Sequence, residues 1–76
     1  MSQIYTGYFI KEKGEICDSC GFTNTRIEGN AIINTNGQFT GYKIHNGNII
    51  TSSGENTGYS IIRNTIFGPF KCLPWL

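Results

Sequence analysis

Charge is scarce in this chain. Charged residues make up 14% of it, six basic and five acidic, for a net charge of +1. No basic run or stripe is present, so the electrostatic footprint of a nucleic-acid binder is missing and only aromatic stacking would be left for that role. No apolar run approaches the roughly 18 residues a membrane span needs. The opening stretch MSQIYTGYFIKEKG lacks a basic segment followed by an apolar one, so it does not read as a signal peptide. There is no Asn-x-Ser/Thr acceptor. The expectation is a cytoplasmic protein whose partners are neither nucleic acid nor membrane.

Catalytic material is equally thin. His45 is the sole histidine and sits beside Asn46-Gly47 in a turn-like stretch, where such residues are usually solvated. Glu12, Glu15, Glu28 and Glu55 fall mainly on turns or linkers, at no spacing that pairs them. No segment reads as a helix, so no glycine-rich turn opens into one and a phosphate cradle is lacking. The sequence thus predicts no enzyme and no cofactor.

What the chain does have is Gly, Asn, Thr and Ser set among Ile and aromatics, which argues against disorder. Its 76 residues make a single domain, 1–76. A chain this short buries only about 60% of its unfolded surface, so its core is thin. The same phrase recurs through it: TGYFI from Thr6, TNTRI from Thr23, TGYKI from Thr40 and TGYSI from Thr57, each 17 residues after the last. Repeats near 6–22, 23–39, 40–56 and 57–73 follow. Their columns read Thr, then Gly7, Asn24, Gly41 and Gly58, then Tyr8, Thr25, Tyr42 and Tyr59, and two residues later Ile10, Ile27, Ile44 and Ile61.

A turn follows every Ile. Gly29-Asn30 and Asn46-Gly47 accept the positive φ of two-residue hairpin turns, and Arg63-Asn64 is a weaker version. Two-residue turns set Ile27 against Ile32, Ile44 against Ile49 and Ile61 against Ile66, with Tyr42 and Thr51 on the same face. In the first repeat that register would bury Glu15. A three-residue loop, Glu12-Lys13-Gly14 with a left-handed Gly, instead sets Ile16 against Ile10 and turns Glu15 outward.

Isolated hairpins are marginal in water, so the four must pack on one another. An open solenoid needs atypical end repeats. Here the first and last repeats keep the Thr-Gly-Tyr-x-Ile start as well as any, and the linker column Tyr5, Phe22, Phe39, Asn56 and Leu73 ends where it began. The expected fold is all-β: four 17-residue β-hairpin repeats packed as a closed pseudo-four-fold rosette, with the Ile columns around the axis.

These four starts, each with a hairpin turn behind it, and IFGP…LPW near the end resemble the small four-fold beta flower family over about Tyr5 to Trp75. The resemblance implies four β-hairpins about a pseudo-four-fold axis. It implies no activity, and no functional residue can be carried over from it. Thr25 in the Tyr column and the extra loop residue of the first repeat depart from perfect symmetry.

Three groups are candidate sites. Tyr8, Tyr42 and Tyr59 could contact a ligand, since Gly before each lets one approach, and hairpin repeats with such starts are similar to cell-wall-binding repeats that cradle choline or sugar. Their ordinary role is to pack on the Ile columns, and Thr25 breaks the column. Cys17-Asp18-Ser19-Cys20-Gly21 has a spacing that suits zinc. With Cys72 it could form a three-thiolate site, or a Cys20–Cys72 or Cys17–Cys72 bridge, against the simpler alternative of free thiols. A thioredoxin-like role lacks the helix that would activate the pair. Finally, the apolar tail 67–76 carries Pro69 and Pro74, which disfavour a central strand. It either closes the ring on Tyr5 and Ile4 or docks on a protein partner or a second copy through Trp75 and Phe70. The leading expectation is a non-catalytic binding or scaffolding module acting through this tail or the Tyr-lined end. A small-molecule or glycan binder and a small zinc protein are its alternatives.

Overall fold

Hairpins form where the turn residues placed them. A computed structural model describes residues 3–76. Met1 and Ser2, which begin the expected span 1–76 and the stretch read for a leader, lie outside the described residues. Eight strands run in order: β1 (Ile4–Ile10), β2 (Glu15–Asp18), β3 (Gly21–Glu28), β4 (Ala31–Asn34), β5 (Phe39–His45), β6 (Asn48–Thr51), β7 (Asn56–Ile62) and β8 (Thr65–Gly68). Each pairs antiparallel with its sequence neighbours, and β1 pairs with β8, so the sheet closes into a barrel. Its extents of 34 × 30 × 20 Å describe a short, wide ring. Among the described residues no helix is long and apolar enough to cross a membrane.

Within the hairpins the pairs Ile10–Ile16, Ile27–Ile32, Ile44–Ile49 and Ile61–Ile66 all form. Tyr42 faces Thr51 as expected. The turns differ in backbone. Asn46 and Gly47 both take positive φ, as do Arg63 and Asn64, whereas in the second hairpin only Gly29 does. The first hairpin closes through a 3₁₀ turn at Glu12–Gly14, with both Lys13 (φ 67°) and Gly14 (φ 77°) in the left-handed region. Gly14 has a second reason to be glycine, because a Cβ there would lie 2.5 Å from the Ile27 carbonyl oxygen.

The Thr column joins one hairpin to the next. Thr6 Oγ1 donates to Ile66 O (2.7 Å), Thr23 to Ile16 O (2.7 Å), Thr40 to Ile32 O (2.7 Å) and Thr57 to Ile49 O (2.6 Å). The bond from Thr6 spans the point where the chain's beginning meets its end, with the same geometry as the other three, which is what a closed ring requires and an open stack lacks. The residue after each Thr has positive φ: 89° at Gly7, 68° at Asn24, 94° at Gly41 and 89° at Gly58. A register shift at each junction follows from these bulges. Asn24 is the one bulge residue that is not glycine. Replacing it with alanine is expected to cost about 1–2 kcal/mol, since a Cβ without a compensating polar group is strained there. Asn24→Gly should leave the urea unfolding midpoint nearly unchanged.

The core is built in layers along the axis. Ile16, Ile32, Ile49 and Ile66 are each 0% exposed. Each of the first three has an Ile opposite on one flank and a Tyr-column residue on the other: Thr25 beside Ile16, Tyr42 beside Ile32 and Tyr59 beside Ile49. The partly buried Ile10, Ile27, Ile44 and Ile61 lie toward the turns, while Tyr8, Tyr42 and Tyr59 lie toward the linkers. Among the described residues every buried side-chain nitrogen or oxygen is hydrogen-bonded, so the ring leaves no uncompensated polar group inside.

Candidate functional site

The ring has two unlike ends. At the linker end the chain's own tail covers the Tyr column. Phe67 and Gly68 belong to β8, where Gly68 pairs with Ile4 and the Phe67 ring lies 6.1 Å from that of Tyr5. That much of the tail closes the ring on Tyr5 and Ile4. The remainder turns inward: Leu73 is 2% exposed and joins the core, and Trp75 packs against it. Gly68 sits beneath the Tyr59 ring, and a Cβ at that position would overlap it.

The Tyr column explains how the tail is held. The Tyr59 hydroxyl donates to the Cys72 carbonyl, which anchors the chain one residue before Leu73. The Tyr42 and Trp75 rings lie 5.6 Å apart at 45°, a tilted aromatic pair. Where the column lacks a tyrosine, Thr25 is buried and accepts a hydrogen bond from the Trp75 indole N–H at 3.3 Å. Thr25 Oγ1 also lies 2.8 Å from Thr23 Oγ1. A ring at position 25 would compete for the space the indole uses. The irregularity in the repeat is therefore the seat of the only tryptophan.

Burial lifts the Tyr8 phenol above the ordinary value of 10.0, and the charges of Asp18, Cys72 and Cys20 add to the rise. Burial does the same for Tyr59, with Cys72 adding. The folded chain thus holds these two protons more tightly than the unfolded chain does. Their contribution to stability is whole below pH 10 and is lost as the pH rises past it, because the unfolded phenols ionise first. Urea melts should show midpoints falling above pH 10. In an ultraviolet titration, ionisation of Tyr8 and Tyr59 in the folded protein should lag behind their ionisation in the urea-unfolded chain.

The cysteines do not assemble. Cys17 is buried on β2, whereas Cys20, in the turn before β3, and Cys72, in the tail, are exposed; all three are free thiols. Asp18 Oδ1 accepts from the Cys20 backbone N–H at 2.9 Å, so the C-x-x-C stretch serves as a capped turn between strands. Among the described residues no group of three or more His, Cys, Asp or Glu is placed to hold a metal ion. The Cys17, Cys20 and Cys72 set is therefore not gathered into a ligand shell. His45 is exposed and its Nε2 lies 3.3 Å from Asn46 Nδ2. Glu28 pairs with Arg26 on the surface at 3.0 Å.

The outer surface carries what the interior does not hold. Among the described residues, seven large hydrophobics are exposed: Ile4, Tyr5, Phe22, Phe39, Ile62, Phe70 and Leu76. Ile62, beside the last turn, is the exception in position. The other six lie at the linker end, where β1, β3 and β5 begin and where the tail runs. Phe70, singled out with Trp75, is 65% exposed, while Trp75 is partly buried. The structure thus separates the two: Trp75 seals the ring and Phe70 faces solvent. Comparison of the chain with protein-family models, curated proteins and solved structures gives no match.

Proposed function

We propose that this protein is a non-catalytic binding module that meets a protein surface, in the first instance a second copy of itself, through the linker end of its ring. The observation that carries this is the gathering of Ile4, Tyr5, Phe22, Phe39, Phe70 and Leu76 at that end. Large apolar side chains left exposed at one end of a small domain suit an interaction site. A net charge of +1 gives two copies little mutual repulsion to overcome. The three free thiols suit a reducing compartment, which supports residence in the cytoplasm. Membership of the four-fold beta flower family belongs to the same proposal and rests on the repeated Thr-Gly-Tyr-x-Ile starts and the hairpins behind them.

Direct ligand contact by the Tyr column has less behind it, because Trp75 lies against Tyr42 and the Tyr59 hydroxyl is spent on the tail. Sedimentation velocity over a hundredfold concentration range tests the reading. The wild type should pass from monomer toward dimer as concentration rises. Phe39→Ser combined with Phe70→Ser should stay monomeric with an unchanged near-ultraviolet circular dichroism signal from Trp75. A wild type that remains monomeric throughout would overturn it.

A further inference from the structure

The opposite end of the ring has a different character. At the turn end the axis opens into a wide-mouthed hollow of about 330 Å³ lined by Ile10, Ile27, Ile44 and Ile61 together with the turn residues Gly14, Gly29, Asn30, Gly47 and Asn64. Backbone bonds brace its wall: Ile10 N–H donates to Asn64 O, Ile44 N–H to Asn30 O and Ile61 N–H to Gly47 O, each at 2.7 Å. Three of the turns put glycine at the mouth, Gly14, Gly29 and Gly47, which leaves the isoleucines between them open to solvent. Leu73 and Trp75 of the tail pack on the core, and no tail residue lines this hollow.

We infer that this cup is a binding site for a small neutral amphiphile, its aliphatic part seated among the four isoleucines and its polar end at the turns. The size follows from the volume, which lies at the lower end of the range of small-molecule pockets and corresponds to roughly ten water volumes. The neutrality follows from the lining. No titratable side chain borders the cup, so a charged group inside it would lose its hydration without a partner. Beside it, sharing Ile10 and Asn64, lies a larger hollow of about 580 Å³ bordered by Lys11, Glu12 and Glu15. That hollow carries one basic and two acidic side chains, which offer donors and acceptors to an alcohol or amide and repel a carboxylate, while an ammonium is disfavoured within the cup itself, whose lining holds no carboxylate.

The wild-type chain, labelled on its isoleucine methyl groups, tests this by nuclear magnetic resonance titration with 1-hexanol, hexanoate and hexylamine. Hexanol should shift the methyl signals of Ile10, Ile27, Ile44 and Ile61 saturably while leaving the Trp75 indole signal in place. Hexanoate and hexylamine should bind at least tenfold more weakly. Ile44→Phe, which fills the cup, should weaken hexanol binding at least tenfold with the Trp75 signal unchanged, and Ile44→Ser serves as the second variant should the larger ring perturb the fold. Shifts that never saturate, that appear equally at Trp75, or that favour either ion over the alcohol would overturn the assignment. The result is independent of self-association, which concerns the other end of the ring.

Discussion

Alanine in place of Ile16, Ile32, Ile49 or Ile66 is expected to destabilise the protein by about 2–5 kcal/mol each, the range for a large aliphatic side chain removed from a sealed core. All four are completely buried, and Ile16, Ile32 and Ile49 each face paired residues on both flanks. A domain of this size commands only about 4–11 kcal/mol in total. Any one substitution should therefore remove a large share of the total stability. The same change at Ile10, Ile27, Ile44 or Ile61 is expected to cost about 1–2 kcal/mol, because part of each side chain already meets water in the cup. Urea melts of the two sets separate these expectations. Equal losses in both columns would mean that the turn end is as closed as the centre.

The second large effect concerns Trp75. Trp75→Ala should cost about 3 kcal/mol, toward the low end for a tryptophan because the ring is only partly buried. It removes the partner of Tyr42 and leaves Thr25 without its indole donor. Thr25→Tyr, which restores the repeat's own residue, should also destabilise, by about 1–3 kcal/mol, because two rings then compete for one place. Combined, the two changes should cost less than their sum, with a favourable coupling of about 0.5–3 kcal/mol. Additive losses would show that Thr25 and Trp75 do not share a site.

Much of this arrangement could be read from the residues themselves. The isoleucine pairs followed from turn chemistry, since Asn-Gly and Gly-Asn leave few choices of register and a one-residue slip would expose every Ile. The loop at Glu12–Gly14 followed from the cost of burying Glu15. Closure was implied by the intact first and last repeats, and the bond from Thr6 to Ile66 realises it.

The fate of the tail was less legible. The sequence held the clue, one gap in an aromatic column and one tryptophan outside it, but pairing them requires knowing which end of the ring the tail crosses. One of its anchors is a backbone acceptor, the Cys72 carbonyl, which no residue pattern marks. Trp75 and Phe70 likewise looked alike as apolar anchors, and only packing distinguishes the sealed residue from the exposed one. The turn-end cup was hidden for a related reason. Its isoleucines read as core, and whether a core layer is covered is decided by what lies beyond it.

The proposed interaction face is the linker end of the ring. A dilution series of amide and aromatic nuclear magnetic resonance spectra addresses this directly, because it reports where copies touch and not only that they do. As concentration rises, signals from Tyr5, Phe22, Phe39, Phe70 and Leu76 should move together along one binding curve, while those of Gly29, Gly47 and Asn64 at the turns stay fixed. Concentration-dependent shifts centred on the turns, or spectra that do not change at all, would contradict it.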